Sequence, residues 1–176
     1  MPSSDNGKPP REWLEEMFAR LETPLVSYVK RQIGGDLETA RDIVQEAFVR
    51  LCQESWPKIG GHATAWLYRT CRNQAIDIIR REGRMRAVHG NTDVATVEDR
   101  TSIGPSENLS DGEQVDQLKL QIKGLPAQQQ EVLRLRMHDG LSYKQISEVT
   151  GLSTSNVGYH LHQAILRLRE TLKHQV

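Results

Sequence analysis

The chain has 176 residues, enough for one medium-sized domain or two small ones. Basic and acidic side chains number 23 each, so the formal net charge is zero. No stretch approaches the roughly 18 uninterrupted apolar residues that a membrane span requires. The first residues also lack the apolar run of a secretory signal. We therefore expect a cytoplasmic protein with no membrane span.

Only two cysteines are present, Cys52 and Cys71. They are too few for a disulfide framework and lack the spacing of metal ligands, so we expect both to be small core residues. No catalytic constellation is visible in the sequence. We therefore predict no metal, no cofactor and no enzymatic activity.

The neutral sum of charges hides a strongly polarised chain. Residues 66–86 contain six arginines and two acidic residues, whereas residues 87–118 contain seven acidic residues and one arginine. A protein that binds DNA tightly and alone usually carries a clear positive excess. The neutral total therefore does not indicate a tight, independent DNA binder, whereas the basic segment is a first indication of a local nucleic-acid contact.

The chain divides into two helical modules. Residues 1–10 are polar and rich in Pro and Gly, which predicts a disordered tail. Apolar residues recur at helical spacing through residues 11–86 and again through 113–176. The intervening residues, 87–112, are rich in Gly, Ser, Thr, Asn and Asp without a sustained apolar period, which predicts an acidic flexible linker. We predict an all-α fold of two small helical domains, an N-terminal bundle and a C-terminal helix-turn-helix domain.

The C-terminal module contains a helix-turn-helix pattern. Ser142 is placed to cap a short helix that Gly151 ends, and Ser153 is placed to cap a longer helix. The apolar residues between them suit two helices that cross around a tight turn. These residues are Ile146, Val149, Leu152, Val157 and Leu161.

The second helix of this pattern is a candidate for insertion in the major groove of DNA. Its N-terminal side chains would face base edges, and the amides of Asn and Gln match the donor and acceptor of adenine. Arg134 and Arg136, on the preceding helix, are candidates for phosphate contacts. For all of these residues the alternative is an ordinary solvated surface. The predicted DNA contacts of the second helix are Ser153, Thr154, Ser155, Asn156, Tyr159, His160, Gln163 and Arg167.

The N-terminal module contains an amphipathic helix over residues 37–54. Its apolar side carries Leu37, Ala40, Val44, Ala47, Phe48 and Leu51. From the residues alone, its other side is an ordinary solvent face, with a docking surface for a partner as the alternative. That other side carries Asp42, Gln45, Glu46 and Val49, with Arg50 beside Glu46.

A second helix of this module, over residues 62–82, carries a basic and aromatic stripe. Arginines can follow phosphates, an indole can stack on an unpaired base, and an amide can read a base edge, so the stripe suits single-stranded nucleic acid. The alternative is that Trp66 packs against the first helix at Trp13, Phe18 and Leu21. A Gly/Pro loop before the helix adds Trp56 and Lys58 as a possible pocket wall. The stripe and its neighbours comprise His62, Trp66, Arg69, Arg72, Asn73, Asp77 and Arg80.

In combination, these segments resemble the extracytoplasmic-function group of bacterial sigma factors, within the sigma-70 family. The resemblance covers about residues 14–86 and 113–173. DIVQEAFVRL, at 42–51, is similar to the family's segment that docks on the clamp helices of the RNA polymerase β′ subunit. AWLYRTCRNQAIDIIRR, at 65–81, is similar to the segment that melts and reads the −10 promoter element. The segment from Leu125 to Arg169 resembles the domain that reads the −35 element and touches the polymerase β flap.

The resemblance implies a sigma factor that directs core RNA polymerase to promoter DNA and is held inactive by an anti-sigma factor. It implies polymerase contacts for Asp42, Gln45, Glu46, Val49 and Arg50. The chain departs from the family at Gly158, His160 and Gln163, where Lys or Arg is frequent, so direct phosphate attraction there is expected to be weaker. Two alternatives remain: a helix-turn-helix regulator that binds duplex operators unaided, and an RNA-binding adaptor that stacks bases on Trp56 and Trp66.

Overall fold

A computed structural model describes residues 7–88 and 111–173. The chain forms two compact units, Met1–Ser102 and Ile103–Val176. Within the described residues the regular elements are α-helices and no strand occurs, which confirms the all-α prediction. Most of the predicted tail and most of the predicted linker lie outside the described residues.

The first unit is a bundle of three long helices with one short helical turn. In chain order its helices are α1 (Arg11–Gln32), α2 (Leu37–Gln53), α3 (Trp56–Ile59) and α4 (Ala63–Val88). α1, α2 and α4 contact one another and enclose the core. The most deeply buried side chains are supplied by all three long helices: Leu25, Val29, Val44, Leu51, Leu67, Tyr68 and Cys71.

Local chemistry sets the start of α2. Gly34 and Gly35 adopt positive φ angles of 80° and 105°, a conformation that glycine adopts without steric cost, and they turn the chain after α1. The Asp36 carboxylate then accepts hydrogen bonds from the backbone N–H groups of Glu38 (3.0 Å) and Thr39 (3.4 Å). This cap satisfies donors that the first turn of a helix leaves open.

α4 is longer than the sequence pattern predicts. The apolar period supports a helix over 62–82, whereas α4 continues to Val88, two residues beyond the predicted domain boundary at 86. The added turns are formed mostly by good helix formers, Arg, Met and Ala, so the helix persists after its apolar face ends. Met85, in this extension, is 64% exposed.

The described part of the second unit, residues 111–173, contains four helices: α5 (Asp111–Lys123), α6 (Ala127–Met137), α7 (Tyr143–Thr150) and α8 (Thr154–Lys173). α8 contacts each of the other three. Val132, Leu135, Ile146, Val157 and Ala164 are completely buried between α6, α7 and α8. Leu152, predicted as a core residue of the turn, is only half-buried.

One of the two cysteine predictions is wrong. Cys71 is completely buried on α4, as predicted, but Cys52 is exposed at the end of α2. The buried face of α2 is completed by Phe48 and Leu51, and one further residue turns the side chain by about 100° toward solvent. Among the described residues, no helix is both long enough and apolar enough to cross a membrane.

Candidate nucleic-acid interface

The predicted docking residues lie together on the exposed face of α2. Asp42, Gln45, Glu46, Val49 and Arg50 are all exposed, while the opposite face of the helix is buried against α1 and α4. Arg50 donates a hydrogen bond to the Glu46 carboxylate one turn earlier, with both side chains about half exposed. Val49 is 58% exposed, so the face combines acidic, basic and apolar groups in solvent.

The predicted stripe on α4 forms one continuous helix face. Arg69, Asn73, Asp77 and Arg80 are exposed, and Trp66 is half-buried at one end. Trp66 and Arg80 are separated by about 21 Å along the helix axis, at a rise of about 1.5 Å per residue. Arg72 lies at the edge of the stripe and is half-buried. The face is long enough to follow several nucleotides of an extended strand.

The stripe is rich in arginines that are free to bind an anion. Among the described residues, the guanidinium groups of Arg69, Arg80 and Arg81 form no ion pair. Arg81 and Arg84 are exposed on the same side of α4 and extend the stripe toward the helix end. Both arginines contribute to the positive charge of residues 66–86 but lie outside the predicted site. They fall on the same face when the helical period is continued past Arg80.

The segment before α4 is more ordered than the predicted loop. Residues Trp56–Ile59 form a helical turn in which the backbone N–H of Ile59 donates to the Ser55 carbonyl (3.1 Å). The Trp56 ring packs edge-to-face on Trp13 of α1, with ring centroids 4.6 Å apart and an angle of 72° between planes. Lys58 and His62 are exposed on the same segment.

The ring contacts of α1 do not involve Trp66. The aromatic partner of Trp13 is Trp56, and that of Phe18 is Phe48, at 4.9 Å between centroids. Within the described residues, Trp66 takes part in no ring contact. Its indole is half-buried, so part of it is accessible at the end of the arginine stripe.

The helix-turn-helix is built from the predicted caps. Ser142 Oγ accepts from the Gln145 backbone N–H (3.2 Å) and Gln145 Oε1 accepts from the Ser142 backbone N–H (2.9 Å), a reciprocal capping box. Gly151 ends α7 with a φ of 78°. Ser153 Oγ then accepts from the Asn156 backbone N–H (3.1 Å) at the start of α8.

The predicted base-reading residues fall into three groups at the start of α8 and along it. Ser153, Thr154, Ser155, Asn156 and Tyr159 are exposed together at the helix start. His160 and Gln163 are half-buried, and the Nδ1 atom of His160 is enclosed with no hydrogen-bond partner among the described residues. Arg167 lies about 16 Å beyond Asn156 along the helix axis. It lines a pocket of about 350 Å³ with Gln121, Gly124, Leu125, Leu168, Glu170 and Thr171.

Arg136 of α6 is held in position near the start of α7. Its Nη1 donates to the Leu141 carbonyl (3.0 Å), and its guanidinium carbon lies 5.6 Å from the centroid of the Tyr143 ring. The side chain remains exposed. An arginine fixed in this way beside a helix-turn-helix can contact a DNA phosphate without losing much side-chain entropy on binding.

Two structural features bear on other kinds of chemistry. Burial raises the pKa of the Cys71 thiol to about 12, so this thiol is not a nucleophile at neutral pH. Within 7–88 and 111–173, no group of three His, Cys, Asp or Glu side chains is placed to hold a metal ion.

Family comparisons match both units. A family described as Sigma-70 region 2 matches residues 17–85, and one described as Sigma-70, region 4 matches residues 116–168. A solved structure of the sigma factor RpoE in complex with the anti-sigma factor NepR, from Bartonella quintana, has the same fold. Its TM-score is 0.66 at 21% identity, over 93% of this chain and 98% of that chain.

Curated relatives agree with the family matches. RNA polymerase sigma factor YlaC of Bacillus subtilis is 29% identical over 167 residues, which are 92% of this chain and 93% of that protein. The ECF RNA polymerase sigma-E factor of Escherichia coli is 29% identical over 91% of this chain and 84% of its own length. ECF RNA polymerase sigma factor SigE of Mycolicibacterium smegmatis is 28% identical over 80% of this chain, which spans about half (54%) of that protein.

A region 2 bundle followed by a region 4 helix-turn-helix defines a transcription initiation factor of the sigma class. The chain belongs to the sigma-70 family, in its extracytoplasmic-function group.

Proposed function

We propose that this sigma factor directs core RNA polymerase to specific promoters by contacting the polymerase, an opened −10 strand and duplex −35 DNA through three separate surfaces. The observation that carries the proposal is the α4 stripe, where a half-buried Trp66 is followed by Arg69 and Arg80, which have no carboxylate partner within residues 7–88 and 111–173. A stacking ring beside free guanidinium groups suits an unpaired strand better than a duplex.

The polymerase surface in this proposal is the exposed face of α2, which docks on the clamp helices of the β′ subunit. The Glu46–Arg50 pair orders one side of this face, and Val49 supplies apolar area that is in solvent in the free protein. Burial of Val49 on docking would remove that area from water and favour the complex. The residues assigned to this surface are Asp42, Gln45, Glu46, Val49 and Arg50.

The −10 surface in this proposal is α4 with the segment that precedes it. The arginines bind phosphates, Trp66 stacks on a base drawn out of the duplex, and Asn73 donates to or accepts from a base edge. The negative charge of Asp77 would repel a phosphate at that point of the stripe, so it would favour contact with a base there. The residues assigned to this surface are Trp56, Lys58, His62, Trp66, Arg69, Arg72, Asn73, Asp77 and Arg80.

The −35 surface in this proposal is the start of α8, presented to the major groove by the turn at Gly151. Asn156 is the strongest candidate for a base contact, because it is exposed in the first turn and its amide matches adenine. The domain also contacts the β flap of polymerase. The residues assigned to this surface are Ser153, Thr154, Ser155, Asn156, Tyr159, His160, Gln163 and Arg167.

An anti-sigma factor is the proposed inhibitor. The B. quintana sigma factor of the same fold was solved in complex with one. Such a partner would inactivate this protein by covering the α2 face or the α4 stripe. The proposal assigns no catalysis to this chain, because the polymerase carries out the chemistry, and it puts the protein in the cytoplasm with the polymerase.

The decisive experiment is transcription reconstituted with the full chain. The purified protein is added to core RNA polymerase and genomic fragments of the source bacterium, and run-off transcripts are sequenced. We expect start sites that share −10 and −35 elements and are absent with core polymerase alone. Trp66→Ala should reduce these transcripts roughly tenfold to a hundredfold, the range expected for loss of one stacked base. Trp66→Phe should retain more activity.

The same experiment separates the proposal from its alternatives. Core binding by the Trp66→Ala variant should stay within about twofold of the original, because Trp66 is outside the α2 face. Binding to duplex DNA without polymerase, with no new start sites, would instead identify a helix-turn-helix regulator. Binding to RNA with no effect on initiation would identify an RNA adaptor.

A further inference from the structure

Trp13 of α1 contacts the segment that leads into the α4 stripe. Its ring meets that of Trp56 edge-to-face, at 4.6 Å between centroids, although the two residues lie in different helices. Both indoles are half-buried, so the pair is partly open to solvent. Such an arrangement favours one orientation of the rings, because the positive edge of one faces the negative face of the other.

Gly60 also contacts the Trp56 ring. A β-carbon at Gly60 would lie 3.3 Å from Cη2 and 3.4 Å from Cζ2 and Cζ3 of the indole. The six-membered ring of Trp56 is therefore in close contact with the Gly60 backbone. Trp56 thus contacts both an aromatic ring of α1 and the main chain of its own segment.

The Trp56 segment is joined to Trp66 by consecutive backbone hydrogen bonds. The N–H of Gly60 donates to the Trp56 carbonyl (3.1 Å), that of His62 to the Ile59 carbonyl (2.9 Å), and that of Trp66 to the His62 carbonyl (2.9 Å). Ile59, 4% exposed, anchors the segment in the core. A displacement of Trp56 would therefore change the position of the Trp56–His62 segment relative to the start of the stripe.

We propose that Trp13 is a positioning residue, which holds the Trp56–His62 segment in the one place where it accepts a particular base of the opened −10 strand. The inference rests on the proposed function, since it requires that this segment faces an unpaired base. Trp13 touches no DNA in this proposal. It acts through Trp56, whose exposed edge forms one wall of the base site together with the exposed side chains of Lys58 and His62.

The test is a selection with holoenzyme on promoters whose −10 element is randomised. Trp13→Ala should weaken the base preference at one position, or at two adjacent positions, by about fivefold, which is roughly 1 kcal/mol for one edge-to-face pair. Trp13→Phe keeps an aromatic edge and should restore most of the preference. Gly60→Ala puts a methyl group 3.3 Å from the same indole, and it should weaken the preference at the same positions.

Phe18→Leu is the matched control. Phe18 lies on α1, as Trp13 does, and forms a similar edge-to-face pair, but its partner is Phe48 of α2 and not a residue of α3. It should leave every base preference unchanged. Preference for the −35 element and affinity for core polymerase should stay within about twofold in all four variants. If Trp13→Ala prevents folding, Gly60→Ala carries the test, because it displaces the same indole.

The outcomes distinguish this inference from the proposed function. If the original holoenzyme selects no −10 sequence, the proposed function is wrong. If it selects one and the three variants keep the same preferences, only the role of Trp13 is wrong. A uniform loss at all positions, equal to the loss of folded protein, would also overturn the inference, since it would indicate a purely structural contact.

Discussion

The ring of Tyr143 packs against the backbone of Gly158, with Cε2 3.5 Å from the point where a β-carbon of residue 158 would lie. The guanidinium of Arg136 contacts the same ring at 5.6 Å from its centroid. One aromatic side chain thus links α6, α7 and α8 behind the surface proposed to read DNA. The contact at Gly158 has ordinary van der Waals length, so α8 has room for a methyl group there.

Gly158→Ala should stabilise the C-terminal domain by about 1 kcal/mol, because alanine is the better helix former and the added methyl group meets only the Tyr143 ring. For a domain of this size, the expected rise in unfolding temperature is about 4–8 °C. Calorimetry of the full chain measures it. Gly151→Ala is the control and should lower the unfolding temperature, because Gly151 has a φ of +78°. A fall with Gly158→Ala would show that α8 is more tightly packed at this position than the 3.5 Å contact indicates.

Val49→Asp should weaken binding to core RNA polymerase at least about tenfold, since it puts a desolvated charge into the proposed interface. Stability should change by less than about 0.5 kcal/mol, because Val49 is 58% exposed. Surface-immobilised core polymerase gives the affinity. Met85→Asp is the control, at a similarly exposed apolar residue (64%) of α4 that lies outside the α2 face. If the unsubstituted protein and Val49→Asp bind core polymerase with equal affinity, this face of α2 is not part of the interface.

Arg69→Gln and Arg80→Gln should each reduce the salt dependence of holoenzyme binding to a promoter fork with a single-stranded −10 region. One lost phosphate contact lowers the slope of log K against log salt by about 0.7 on a single strand. Arg11→Gln removes an exposed arginine that is paired with Glu15 at 2.8 Å, and its slope should not change. Unaltered slopes for the two stripe variants would mean that their guanidinium groups do not reach phosphates.

The cap at Asp36 should make the N-terminal domain sensitive to acid. A hydrogen bond from the Thr39 hydroxyl, followed by backbone donors at Thr39 and Glu38, holds the pKa of this carboxyl below its ordinary 3.8. Because the folded-state pKa is the lower one, the stabilisation is present above pH 3.8 and is lost as the pH falls through the folded-state value. Asp36→Asn removes the titrating group.

The measurement is thermal unfolding of both proteins between pH 7 and pH 3. The unsubstituted protein should have the higher unfolding temperature at neutral pH. The difference in unfolding temperature from Asp36→Asn should become smaller below about pH 4. Glu12→Gln, in the first turn of α1, controls for general loss of charge. A constant difference across this pH range would show that the carboxylate of Asp36 contributes nothing through its charge.

The two thiols should react very differently with a disulfide reagent at pH 8. Burial raises the pKa of Cys71 to about 12 and shields it, whereas Cys52 is exposed. We expect one equivalent to react in the folded protein and two in denaturant. Cys52→Ser should abolish the reaction of the folded protein, and Cys71→Ser should leave it. Rapid reaction of Cys71 would reveal that the bundle opens on the time scale of labelling.

The sequence alone determined the features that depend on near neighbours in the chain. The caps at Ser142 and Ser153 and the left-handed Gly151 are each formed by groups within four residues, so their chemistry is readable from spacing. The arginine stripe follows from the 3.6-residue period of one helix. The family resemblance rests instead on three longer segments, at 42–51, 65–81 and 125–169.

Only the tertiary structure decided which aromatic ring Trp13 meets, that Cys52 faces solvent, and that His160 is half-buried on a helix predicted to face DNA. In each case helical spacing allows more than one environment, since a side chain near the edge of the apolar face is buried only if a distant helix covers it. Trp13 and Trp56 are far apart in the chain. Their contact depends on how α1 packs beside α3, and no local pattern of residues specifies that packing.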